Sequence, residues 1–234
     1  VLRRLSALGA LAAAPVFASV ACGADATAPR TWRPTWAGVV AGASGELGTL
    51  ELTVDGATSE APTAAGNAAF TFAARRFALV DDGSTTDAVR VAGPSGTVYG
   101  RLRCVVSRAE GEDDARGRCT LDDGAERPLA LVAHDGEARR VCGNFFWADE
   151  DGVVSIVASA RAVGAVAYGS SVRWAATATR TGDVAARLDG PIALDGDGLA
   201  LRAALGDGGA SGTFSSTRAS GRLATNTETC PQRP

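Results

Sequence analysis

Thr49-Leu50-Glu51-Leu52-Thr53-Val54 alternates polar with apolar side chains and then stops at Asp55-Gly56. Successive side chains of a strand point to opposite faces, so the alternation predicts a half-buried β-strand, and Asp-Gly predicts the turn that ends it. The same grammar recurs on both sides. Residues 57–67 are rich in Ser, Thr, Ala and Pro and read as a loop. Beyond them Phe70 and Phe72 share one parity and Phe77 and Leu79 the other, which places a bulge or bend at Arg75-Arg76. Asp82-Gly83 reads as a hairpin turn, and Val89 and Val91 alternate with polar neighbours before Pro94-Ser95-Gly96.

Further along, 98–106 reads as a strand with Leu102, Cys104 and Val106 on one face, joined by the charged loop 110–114 to a partner at 118–121. Strands follow at 129–133, 141–147, 153–162, 172–178, 184–188, 192–194, 199–205 and 213–215, with a return through Leu223. Asp-Gly turns recur at 122–124, 135–136, 151–152, 189–190, 195–196 and 207–208. Short strands at such even spacing predict an all-β fold: an antiparallel up-and-down β-barrel or a meander-type sandwich, as a single domain over 36–234. The Ala-rich stretch 157–167 is the one candidate helix, and Gly164 weakens it. Trp36-Ala37 and Trp174-Ala175 each open a Gly-containing turn and an alternating strand, a faint internal likeness within that one domain.

At the other end of the argument stand residues 1–22. Arg3 and Arg4 precede an apolar run from Ala7 to Ala18, too short for the ~20 residues that a membrane-spanning helix needs, so 1–21 read as an export signal. Ser19-Val20-Ala21-Cys22 resembles the lipobox of bacterial lipoproteins, in which the signal is cut before a cysteine that carries a diacylglyceryl group. Ser19 stands where that family usually has an aliphatic residue, and the small-x-small pattern fits ordinary signal cleavage as well. The resemblance implies lipid attachment at Cys22, a membrane as partner through that anchor, and an address in the bacterial cell envelope. Residues 22–35 then read as anchor cysteine and flexible tether.

Cysteine parity points the same way. Of Cys22, Cys104, Cys119, Cys142 and Cys230, lipidation removes the first and leaves an even four. In an exported chain those four predict two disulfides, with three pairings open; Cys104 and Cys119 flank a hairpin-like loop and make the first choice, leaving Cys142 with Cys230. A bridge over ~15 residues stabilises by roughly 3 kcal/mol in the chain-entropy description.

Charge excludes one class of partner. All 23 basic residues are Arg, against 26 Asp and Glu, and loss of two Arg with the signal leaves 21 against 26, a net −5. Nucleic acid requires a basic footprint, so no nucleic-acid partner is expected. The vocabulary of catalysis is thin as well. His134 is the single histidine, and no Gly-x-Ser-x-Gly elbow exists; Gly93-Pro94-Ser95-Gly96 has the wrong frame. No Cys-x-x-Cys or His-rich spacing supports zinc. Asp149-Glu150-Asp151-Gly152 and Asp195-Gly196-Asp197-Gly198 begin like cation loops but lack the further ligands, and read as hairpin turns. No catalytic residue, metal or cofactor is expected.

Phe145-Phe146-Trp147 must send side chains to both faces of its strand, which makes these three the candidate ligand-lining residues. The first functional expectation is an exported, lipid-anchored, non-enzymatic binding or structural protein, with an envelope protein as possible partner. The second is a lipocalin-like carrier of an apolar small molecule, with Ala176, Ala178 and Ala203 as small inward residues; the lipocalin Gly-x-Trp mark is absent, since Trp36-Ala37-Gly38 runs the other way. The third is a hydrolase using paired carboxylates.

Overall fold

A computed structural model describes residues 35–41, 47–55, 63–70, 75–81, 88–92, 103–107, 112–120, 124–147, 150–180, 188–216 and 220–227. The expected signal, 1–21, the expected tether up to residue 34 and Cys230 lie outside the described residues.

The chain is all-β and antiparallel, the class that the turn spacing predicts. Strands β1 (Thr35–Ala41), β2 (Leu47–Asp55), β3 (Thr63–Phe70), β4 (Arg75–Asp81), β5 (Ala88–Ala92), β6 (Arg103–Ser107), β7 (Asp114–Thr120) and β8 (Glu126–Ala133) pair in sequence. β8 returns to β1, with Leu131 opposite Gly38, and closes a barrel. Strands β9 (Arg139–Trp147), β10 (Glu150–Ala158), β11 (Ala162–Tyr168), β12 (Arg173–Thr179), β13 (Gly190–Gly196), β14 (Leu199–Gly206), β15 (Gly209–Ser216) and β16 (Ser220–Thr227) form a second sheet in the order β12-β11-β10-β9-β16-β15-β14-β13. That order is again an up-and-down meander, with its seam between β12 and β13. The seam is held by side chains: the Trp174 Nε1–H donates to the Gly196 carbonyl oxygen at 2.7 Å.

The second sheet curls around a packed interior of its own. Val141, Phe145, Ile156, Ala165, Trp174, Ala176, Leu194, Leu201, Phe214 and Leu223, drawn from all eight strands, belong to one buried cluster. Phe214 lies 5.0 Å from Phe145 and edge-on to Trp174 at 5.3 Å between ring centroids. Arg139 on β9 donates to the Gly206 carbonyl at the end of β14. Beside it Arg180 donates to the carbonyls of Ser159 at 3.2 Å and Asp189 at 2.7 Å.

The residues expected to form one domain thus lay out as two eight-stranded sheets, and a second buried cluster joins them. Ala37, Val39, Leu47, Ala130 and Val132 from the outer face of the first barrel pack on Cys142, Val153, Val157, Ala162 and Val166 from the outer face of the second. Gly164 lies in this contact, where an added Cβ would come within 3.0 Å of Ala130 Cβ. An ion pair at its edge, Arg140 to Glu51 at 3.0 Å, also crosses from one barrel to the other.

Several local expectations change. Arg75-Arg76 is no bulge within one strand: Phe70 pairs with Arg75, so β3 and β4 form a hairpin there. Within the expected 57–67 loop, β3 begins at Thr63. The Ala-rich helix candidate is instead the end of β10 and the strand β11. Asp151-Gly152 does not turn but pairs within β10, opposite Phe146 and Phe145. An added Cβ on Gly152 would meet the Phe145 ring at 2.4 Å, so the glycine is where that ring lies. The pair at 197–198 does turn: Asp197 and Gly198 have φ of 48° and 76° and join Gly196 to Leu199, the two-residue geometry with positive φ at both positions that suits twisted strands. The internal likeness falls on non-equivalent strands, Trp36 on the first strand of one sheet and Trp174 on the fourth of the other. The strand expected at 184–188 lies largely outside the described residues.

Candidate functional site

The strand pair β6–β7 presents Cys104 and Cys119 directly opposite one another, both buried, and they form a disulfide with Cα atoms 4.0 Å apart. Alternation then sends the intervening Arg116 and Arg118 outward from the barrel. Cys142 is also disulfide-bonded, with its partner outside the described residues. β16 brings Thr227 opposite Cys142, three residues short of Cys230.

The outward face of β7 meets the outward face of β12, and the meeting changes character along its length. At one end it is closed. Asp114 hydrogen-bonds Thr177, and the Thr179 hydroxyl donates to Glu112 Oε2 at 2.9 Å. Burial there pushes the Asp114 carboxyl above the ordinary carboxylate range; the Thr177 bond works against that shift and the Glu112 charge adds to it. At the other end the walls separate around a cleft of about 320 Å³, lined by Ser107, Arg116, Gly117, Arg118 and Pro128 on one side and Arg173, Ala175 and Asp197 on the other.

Three guanidiniums therefore share this cleft with one carboxylate. Arg173 is set by its neighbour: its Cζ stands 5.2 Å from the centroid of the Tyr168 ring, which Arg127 also approaches at 5.4 Å. Arg118 reaches Glu126 only at 3.6 Å, with both side chains 62% exposed, a solvent-screened pair of small worth. Arg116 makes no ion pair among the described residues. Asp197 is placed by the tight β13–β14 turn. This chemistry suits recognition of an anion.

The candidate ligand-lining aromatics do not converge on this cleft. Phe145 is buried inside the second sheet, Phe146 is 52% exposed on its outside, and the Trp147 side chain lies outside the described residues. Ala176, Ala178 and Ala203 do face the interior, where Trp174 and Phe214 occupy the space. His134 sits in the connection between β8 and β9, its Nδ1 3.0 Å from the Gly136 carbonyl oxygen within its own turn. Arg202 Nη2 donates to both carboxylate oxygens of Asp195, at 2.7 and 2.8 Å. Among the described residues no group of three His, Cys, Asp or Glu side chains is placed to hold a metal.

The cleft arginines do not stand out in composition, because every basic residue of the chain is Arg. A signal was present: in Arg116-Gly117-Arg118 two guanidiniums two residues apart on a strand share a face. Arg173 gives no such sign, since only the packing of the sheets brings it there. No protein-family model matches the chain, and no curated protein matches it.

Proposed function

We propose that this is an exported, lipid-anchored binding or structural protein of the bacterial cell envelope, held to a membrane through Cys22 and doing no covalent chemistry. The observation that supports a binding or structural role over carriage of an apolar molecule is the packed interior of the β9–β16 sheet. Phe145, Trp174 and Phe214 fill the space that this sheet curls around, which leaves none there for an apolar ligand. Bridged cysteines suit an oxidising compartment beyond the cytoplasm. The anchor itself rests on the lipobox resemblance at 19–22 and on cysteine parity.

Labelling with an alkynyl fatty acid in a bacterial host tests the reading. The full chain incorporates the label and fractionates with membranes, and Cys22→Ser loses both properties. An unlabelled wild-type chain recovered in the soluble exported fraction would overturn the anchor.

A further inference from the structure

We propose that the cleft between β7 and β12 is a binding site for a phosphate group. This deepens the binding reading above by naming what is bound, but it does not depend on the anchor.

Four observations converge on it. The lining carries Arg116, Arg118 and Arg173 against Asp197, three positive charges and one negative, a net +2 that complements a phosphate dianion. The concentration is local, because the chain as a whole is acidic. The guanidiniums come from two walls, and a tetrahedral oxyanion offers oxygens to both, whereas a single planar carboxylate occupies one fork. At about 320 Å³ the cleft stands at the lower end of small-ligand sites, the size of a compact polar group rather than an apolar one.

The walls are also held in place without a ligand. The Cys104–Cys119 bridge fixes β7 on the first barrel, the Thr177 and Thr179 bonds pin its far end to β12, and Tyr168 holds Arg173 from beneath. Binding then costs little ordering of the backbone. The pinned end is acidic and the open end basic, so an anion is directed to one end only.

The test is calorimetric titration of the full chain in detergent with inorganic phosphate and with glycerol 3-phosphate, at low ionic strength and at 150 mM salt. Saturable one-to-one binding that weakens with salt is expected. Arg116→Gln and Arg173→Gln each weaken it about tenfold or more, the scale of one lost charge-assisted hydrogen bond. Arg116→Lys, which keeps the charge but not the fork, falls between wild type and Arg116→Gln. Arg222→Gln, exposed on β16 and outside the cleft, leaves affinity unchanged. Far-UV circular dichroism confirms that each variant is folded. Co-sedimentation of a non-lipidated Cys22→Ser chain with phosphatidylglycerol vesicles distinguishes a membrane headgroup from a free phosphate ester, and either result supports the shared chemistry. Absence of saturable binding to all three probes would overturn the proposal, as would binding that survives equally in Arg116→Gln and Arg173→Gln. Loss of fatty-acid labelling with phosphate binding intact would overturn the anchor and leave this site standing.

Discussion

Asp114 and Trp174 show how single groups fix the two contacts that shape this molecule. Burial between β7 and β12 raises the Asp114 pKa, so the folded state holds its proton to a higher pH than the unfolded chain does. In the window just above the ordinary value of 3.8, stability therefore falls as pH rises, and the penalty is fully present above the raised value. Asp114→Asn keeps an acceptor for Thr177 and removes the charge facing Glu112. Its melting temperature at pH 7 exceeds that of the wild type, and the difference disappears below pH 3.8; a variant less stable at pH 7 contradicts this account. Trp174 acts at the seam of the second sheet, where no strand ladder joins β12 to β13. Trp174→Phe keeps an aromatic in the core but leaves the half-buried Gly196 carbonyl without its donor. Denaturant titration shows a loss of about 1–3 kcal/mol, the cost of one unsatisfied buried acceptor.

At the scale of the element, the strands that sequence reads well are those with one wet face. β6 and β13 alternate buried and exposed along their length, and both the Cys104–Cys119 pairing and the 197–198 turn were legible there. β1, β8, β10 and β11 are buried on both faces, one toward a barrel interior and one toward the other barrel. Such strands lose the period-2 signal and read as continuous apolar runs, which is why the Ala-rich stretch 157–167, the end of β10 and most of β11, offers itself as a helix. The same continuous runs mark the inter-barrel contact, a clue that periodicity alone does not interpret. Gly164 lies within that contact, with Ala130 across from it and Thr177 beside it on β12. Gly164→Val overpacks it at a cost of about 1–3 kcal/mol. Amide exchange accelerates first in β8 and β11, ahead of β14 and β15; equal acceleration in all four strands contradicts a local contact.

For the whole molecule, two up-and-down sheets of eight strands pack through their outer faces, and a cleft rich in guanidiniums opens where those faces part. The fold class was readable from turn spacing because turns are local chemistry. The division into two sheets was not, since β8 and β9 are joined by a short connection at 134–138 that differs little from a hairpin loop. The cleft was half readable, through the shared face of Arg116 and Arg118, while its other wall is set by packing alone. The packed interior of the second sheet favours a protein that works from its surface over one that holds an apolar cargo within that sheet. Native mass spectrometry of the full chain, released from membranes in detergent and compared before and after reduction, tests this most directly. The account predicts a lipid-bearing mass that gains four hydrogens on reduction, from two disulfides, with no further apolar molecule retained. A stoichiometric apolar adduct that survives gentle desolvation and is released on unfolding would contradict it and make the protein a carrier.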